Sequence, residues 1–135
     1  MATINAPTLQ DTQYSGDDAA AFAHGKLTLA AAQVADKVRL VKLFAGTKIY
    51  STKMINAALG ASSTVSIGYE YVNAEAGGAV NTFIPATDTS SAAKTDSLIA
   101  PLTLAFDAYI TATIAGAAAT GALDVVVGFE HRGNL

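Results

Sequence analysis

The sequence predicts an all-β fold: an antiparallel β-sandwich, jelly-roll-like, with an extended N-terminal arm. Turn signals recur at a spacing of about 8–12 residues, and the segments between them are rich in Val, Ile, Thr and Tyr. No long helical pattern separates these segments, so helical crossovers between parallel strands are not expected. From spacing alone, roughly seven or eight short strands fit either a jelly-roll or an immunoglobulin-like topology.

Length and composition predict one domain that is buried among neighbouring molecules. The 135 residues contain no cysteine, and 51% are hydrophobic, largely because alanine is abundant. Only 14% are charged, against about 25% in typical soluble domains. Such a surface is unusual for a freely diffusing monomer, since interspersed charge normally maintains solubility. We expect an arm over residues 1–16 and a single β-sandwich domain over residues 17–135.

The charge and hydropathy patterns argue against two classes of partner. The net charge is -3, and the eight Lys and Arg residues are scattered, so no nucleic acid is expected as a partner. No apolar run reaches the roughly 18 residues of a membrane span, and the first residues lack the features of a signal peptide. We therefore expect no membrane association, and we expect the protein to be assembled inside a cell.

The N-terminal residues show neither strand nor helix periodicity. Isolated apolar residues, Ile4, Leu9 and Tyr14, are separated by polar residues and by Pro7, which predicts an extended arm that becomes ordered only against a partner. Asp17 and Asp18 then precede an alanine-rich stretch that ends at Gly25, a pattern that predicts one short helical turn.

Strand patterns dominate the rest of the chain. The clearest is a strict period of two over residues 65–71, and a second covers residues 123–130. In residues 34–44 the apolar face switches, which indicates either a bulge near Leu40 or a strand covered on both sides, and we favour the bulge. Further strands are predicted at residues 80–84, stopped by Pro85, and at 107–115, followed by a hairpin turn at 116–121. A strand with one shared face is also predicted for Leu98, Leu102, Leu104 and Phe106.

Residue types that carry chemistry are sparse. His24 and His131 are not at metal-ligand spacing from each other, and helix capping explains Asp17 and Asp18 better than an acid pair does. We therefore predict no catalytic residue, no metal site and no cofactor. Two interpretations of the tyrosine pair at positions 69 and 71 remain: packing in the core, or an exposed stacking platform for a sugar.

Residues 36–50 and 58–69, and more weakly residues 118–127, resemble small virion proteins of tailed phages that are encoded beside the major capsid protein. The resemblance is to the decoration or cement class. It implies a jelly-roll-like sandwich on the outer surface of the head, bound to the major capsid protein over junctions between subunits. It also implies self-association as a dimer or trimer, and assembly in the host cytoplasm.

Two segments are expected to contact protein partners. One is the arm, through Ile4, Pro7, Leu9 and Tyr14. The other is the polar loop at residues 87–95, which we expect to be exposed. Its central residues are Asp88, Thr89, Ser90 and Ser91. The alternatives to a decoration protein are a phage tail or baseplate component and a carbohydrate-binding β-sandwich module.

Overall fold

β-Strands make up most of the residues that the computed structural model describes, which are 2–10 and 20–131. Within these ranges there is no α-helix, and the one helical segment is a 3-10 turn over Pro7–Gln10. In chain order the strands are β1 Thr3–Asn5, β2 Ala20–Ala32, β3 Lys37–Leu43, β4 Thr47–Asn56, β5 Thr64–Tyr71, β6 Ile84–Asp88, β7 Ala93–Asp96, β8 Leu102–Thr103, β9 Ala108–Ala115 and β10 Ala119–His131.

The strands form two packed sheets. The first sheet has the order β1-β3-β9-β5-β6, and the second has the order β2-β10-β4-β7, with β8 also paired to β4. Neighbouring strands are antiparallel except β1 and β3, which are parallel. Without β1 and β8, the two interleaved four-strand orders are those of a jelly roll. The predicted antiparallel, jelly-roll-like sandwich is confirmed.

The core lies between the sheets and is filled by alternate side chains of the strands. This alternation follows the predicted period of two in β5, β9 and β10. The inward-facing residues of these three strands include Val65, Ile67, Tyr69, Tyr71, Ile110, Ile114, Leu123, Val125, Val127 and Phe129, all of them buried.

The predicted irregularity near Leu40 is a β-bulge in β3. The register between β3 and β9 shifts between Arg39 and Val41. Leu40 and Val41 are consecutive and both buried, which a regular strand with one buried face does not allow. The bulge therefore lets both side chains enter the protein interior, as predicted.

The prediction of a helical turn before Gly25 is wrong for residues 20–25, which are the part of that stretch that the structure describes. β2 already begins at Ala20 and pairs with β10 along nearly its whole length. Gly25 packs closely on the other sheet, since a Cβ there would lie 2.7 Å from Cβ of Leu40. Alanine favours helix in isolation, but strand pairing and packing between the sheets override this weak preference. Asp17 and Asp18 lie outside the described residues.

One predicted turn and one predicted strand differ from the structure. Residues 116–118 lead from β9 in the first sheet to β10 in the second, so they are not a hairpin turn, and Gly121 lies within β10. The strand predicted to stop at Pro85 instead begins next to it, as β6. Because β6 is the edge of the first sheet, a proline without an N–H is tolerated there.

The predicted strand with one face formed by Leu98, Leu102, Leu104 and Phe106 is also wrong. Only Leu102–Thr103 pairs in this region, as β8. Leu104 is fully buried, whereas Leu98 is 95% exposed and Phe106 is exposed as well. The four residues therefore do not share a face, and the chain between β7 and β9 is mostly irregular.

Candidate interaction surfaces

Residues 2–10 of the predicted arm are docked on the sandwich. In β1, Ile4 is paired with Val38 of β3 and packs against the core. The expectation that these residues become ordered only against another molecule is therefore wrong, because β3 supplies the hydrogen-bonding partner. Pro7 is exposed and Leu9 is half-buried in the 3-10 turn. Tyr14 and the predicted boundary after residue 16 lie outside the described residues.

A carboxylate holds the start of this segment. Asp36 accepts the backbone N–H of Ala2 at 2.8 Å through Oδ1, and the backbone N–H of Gln33 at 2.9 Å through Oδ2. These two hydrogen bonds lower the pKa of Asp36 below its ordinary value. Residue 2 is thereby fixed beside the connection between β2 and β3.

The second predicted contact is only partly exposed. Asp88 and Ser91 are exposed and Ser90 is half-buried, but Thr89 is completely buried, which corrects its assignment to an exposed loop. Thr89 Oγ1 lies 2.8 Å from Oγ of Ser63, and the Thr89 backbone N–H donates to the Ser63 carbonyl at 3.0 Å. Its polar atoms are thus satisfied inside the protein. The loop is also shorter than predicted, because β6 and β7 occupy its two ends.

Four connections between strands meet at this end of the sandwich, which we call the alanine-rich end. They are residues 33–36, 57–63, 89–92 and 116–118. Their only charged residue is Asp36, which is buried. Most other residues of the four connections have small side chains. The exposed residues of the alanine-rich end include Val34, Ala35, Ala57, Ala58, Ala61, Ser62, Ser91, Ala92, Gly116 and Ala118.

Hydrogen bonds between its connections hold the alanine-rich end together. The backbone N–H of Leu59 donates to the carbonyl of Thr89 at 2.8 Å, and that of Thr120 donates to the carbonyl of Leu59 at 2.9 Å. The Asn56 side-chain amide donates to the carbonyl of Ser91 at 3.0 Å. A surface of small, uncharged side chains, on connections that are already held by hydrogen bonds, loses little conformational entropy when a partner covers it.

A second surface lies on the outer face of the second sheet. Phe22 of β2 is 76% exposed and is paired with Gly128 of β10, which is paired in turn with Ser51 of β4. The Phe22 ring lies across Gly128, because a Cβ on that glycine would be 3.2 Å from the ring. Tyr50, beside Ser51, is also exposed and points to the same face, where its hydroxyl reaches Glu130 at 3.4 Å.

The loop between β7 and β8 extends this surface. It is anchored beside β4, since the Ser97 backbone N–H donates to the Thr52 carbonyl at 2.8 Å. Two exposed apolar residues of the loop, Leu98 and Ile99, lie between this anchor and β8, which pairs with Lys48 and Ile49 of β4. We call the row formed by Phe22, Gly128, Ser51, Tyr50, Leu98 and Ile99 the apolar band.

The outer face of the first sheet is charged instead. Glu70 of β5 accepts a hydrogen bond from Lys37 Nζ at 2.7 Å and another from Arg39 Nε at 2.8 Å. The Arg39 guanidinium lies 4.7 Å from the ring centre of Tyr109. Partial burial acts to raise the pKa of Glu70, but the hydrogen bonds and charges of Lys37 and Arg39 outweigh it, so the pKa is lowered.

The tyrosine pair belongs to the core and does not form a stacking platform. Tyr69 is 5% exposed and Tyr71 is 8% exposed, and their rings meet edge to face at 5.4 Å. Burial, together with the neighbouring Tyr71 hydroxyl, raises the pKa of Tyr69 to about 12. The Tyr69 hydroxyl donates to the carbonyl of Gly77 at 2.7 Å. A sugar therefore cannot stack on this pair, and this interpretation is wrong.

The described residues contain few groups that suit catalysis. His24 Nε2 lies 2.8 Å from Asp124 Oδ1 on the exposed face of the second sheet. In residues 2–10 and 20–131, no three His, Cys, Asp or Glu residues are grouped as a metal site would require. None of the helical structure described there is long and apolar enough to span a membrane.

Comparison with known proteins finds similarity in structure alone. No protein-family model matches the sequence, and no curated protein matches it. A chain in the capsid of Ralstonia phage GP4 superimposes with a TM-score of 0.74 at 12% identity, covering 98% of this chain and 99% of that one. A chain of the cyanophage Pam1 capsid gives 0.67 at 12% identity, covering 90% and 91%.

A third similar chain comes from the acid-stable capsid of Helicobacter pylori bacteriophage KHP30. It gives a TM-score of 0.61 at 17% identity and covers 84% of this chain and 88% of that one. At these identities the likeness establishes the fold. The described residues form a jelly roll like that of chains in these three phage capsids.

Sequence reasoning located part of these surfaces and missed the rest. Of its candidates, Ser90 and Ser91 lie at the alanine-rich end, Asp88 is the last residue of β6 before it, and Ile4 lies against the core. The apolar band was missed, because its residues come from β2, β4, β10 and a loop. Only the strand pairing brings them together.

Proposed function

We propose that the chain is a structural protein of a phage virion. The observation that carries this proposal is the end-to-end match to a chain in the capsid of Ralstonia phage GP4, with 98% and 99% of the two chains covered. Because both chains are covered almost completely, the counterpart is itself a one-domain protein of nearly the same length. The two other phage capsids that contain such a chain support the same role.

The particular role we propose is that of a decoration or cement protein. Such a protein binds the outer surface of the assembled capsid and stabilises contacts between major capsid subunits. The sequence resemblance supports this role, as does a surface with few charges, which costs little to desolvate when it is covered. The work done is binding, so the proposal requires no catalytic step and no cofactor.

We assign the capsid-facing surface to the alanine-rich end. Its connections are held by hydrogen bonds to one another, so docking does not require them to be ordered first. It contains the predicted contact residues Ser90 and Ser91, and Ala2 lies beside it, bonded to Asp36.

Binding of the purified protein to heads that lack it tests the proposal. Ala61→Glu and Ala118→Glu each place a charge on an exposed position of the alanine-rich end. We expect each to weaken head binding at least about ten-fold, because the carboxylate would be desolvated at the interface. Ala105→Glu, at an exposed position of the opposite end, is the matched control and should bind within about two-fold of the original chain.

A melting curve for each variant shows that the fold is retained. Failure of the original chain to bind heads would refute the decoration role, and binding to purified tails instead would favour the tail or baseplate alternative. If the original chain binds heads but Ala105→Glu weakens binding as much as the other two, the assignment of the alanine-rich end is wrong.

A further inference from the structure

We infer that Val34 is the residue that anchors the alanine-rich end on its partner, and that Asp36 is the residue that positions it. Val34 is 51% exposed, in the turn at residues 33–36. Among the residues of the four connections, all of which the structure describes, it is the one exposed residue with a large apolar side chain. The inference rests on the proposed function, since the partner it assumes is the phage head.

Hydrogen bonds of the backbone close the turn that carries Val34. The Asp36 N–H donates to the Gln33 carbonyl at 3.0 Å, and the Ala35 N–H donates to the carbonyl of Ile114 in β9 at 2.7 Å. Ala35 has a φ of 73°, in the left-handed region that the third residue of a type II turn occupies. The backbone at Val34 is therefore fixed before a partner binds.

The side chain of Asp36 joins this turn to the segment before β1. One carboxylate oxygen accepts the Gln33 N–H at 2.9 Å, and the other accepts the Ala2 N–H at 2.8 Å. The Ala2 carbonyl in turn accepts the Lys37 N–H at 3.0 Å. Asparagine could not replace Asp36 here, because its amide has one acceptor oxygen and its NH₂ group would face a second N–H.

Asp36 acts on the partner through Val34. Only 6% of Asp36 is exposed, so its carboxylate is not available for a contact of its own. Val34 suits the contact, because a β-branched side chain on a fixed backbone has few rotamers to lose on binding. Its exposed apolar surface is stabilised when it leaves water. We therefore expect the head surface to contain an apolar pocket that accepts one isopropyl group.

Val34→Ser tests the anchor, and Val80→Ser is the matched control. Val80 is 50% exposed, in the connection between β5 and β6 and away from the alanine-rich end, so the two variants remove the same side chain at nearly the same exposure. Val34→Ser should raise the dissociation constant for heads that lack the protein by about five-fold or more, because half of a valine side chain is no longer withdrawn from water. Val80→Ser should change it by less than about two-fold.

A double-mutant cycle tests the role of Asp36. Asp36→Asn alone should weaken head binding about three-fold or more, with a melting curve that shows a folded protein. Combined with Val34→Ser, it should weaken binding by less than about a further two-fold, because the side chain that it positions is already absent. A purely structural effect of Asp36→Asn would instead weaken binding by the same factor with and without the valine.

Each outcome decides one of the claims. Equal head binding by the original chain and Val34→Ser would overturn the anchor and leave the proposed function standing. Independent losses in the double variant would overturn the positioning role of Asp36. If Asp36→Asn does not fold, comparison of Val34→Ser with Val80→Ser still decides the anchor. Failure of the original chain to bind heads would refute the proposed function and this inference with it.

Discussion

Replacement of Gly68, in the middle of β5, by alanine is predicted to disturb the fold strongly. The segment after β5 returns across this position, and a methyl group on Gly68 would overlap the carbonyl oxygen of Ala79 and lie 2.5 Å from the carbonyl carbon of Val80. Since ordinary contacts between carbon and oxygen are about 3.3 Å or longer, the returning backbone must move by about 1 Å. That movement breaks the hydrogen bond from the Tyr69 N–H to the Ala79 carbonyl, which is 3.0 Å long.

The expected loss of stability is about 2–4 kcal/mol. Overpacking of an interior site costs about 1–3 kcal/mol, and a lost backbone hydrogen bond adds about 1 kcal/mol. Urea unfolding at 25 °C, followed by circular dichroism, measures this free energy for Gly68→Ala. Thr28→Ala, at an exposed position of β2, is the control and should change stability by less than about 0.5 kcal/mol. A Gly68→Ala protein as stable as the control would show that residues 79 and 80 do not lie on β5.

Two further predictions concern the faces of the sheets. Glu70→Gln should lower the free energy of unfolding by about 1 kcal/mol near neutral pH, because it weakens the contacts with Lys37 and Arg39. The pKa of Glu70 is lower in the folded chain, so this stabilisation is present above about pH 4.5 and is lost as the pH falls through the folded-state pKa. The prediction would be contradicted if the difference in unfolding free energy between Glu70→Gln and the original chain grew in acid. Ile67→Asp should lower the free energy of chemical unfolding by more than about 3 kcal/mol, because it buries an unpaired charge. Ile55→Asp, at an exposed position of β4, should lower it by less than about 1 kcal/mol. Equal losses would mean that the buried face is misassigned.

The elements that could be predicted from the sequence are those whose signal is local. Side chains of a strand alternate between its two faces, so the period of two in residues 65–71 and 123–130 showed which side chains face the core. In β5 the other face is partly covered as well, because Ser66 and Gly68 are also buried. The same reasoning located the bulge at Leu40, because two consecutive apolar residues break the alternation. The jelly-roll class followed from the number and spacing of such segments together with the resemblance.

Predictions that depended on distant residues were wrong. The alanine-rich start of β2 favours helix locally, and only its pairing with β10 makes it a strand. Thr89 has a polar side chain in a polar segment, yet it is buried because Ser63, 26 residues away, supplies its hydrogen bond. Residues 116–118 have the composition of a hairpin turn but connect two sheets.

The sequence by itself determined the class of fold and the buried face of its regular strands, because both are encoded by neighbouring side chains. Only the tertiary structure decided which surfaces could bind a partner. The apolar band combines residues from three strands and a loop, and the alanine-rich end combines four connections. Pairing between strands far apart in the chain fixes both surfaces, and the alternation of side chains along a strand contains no information about which strands will pair.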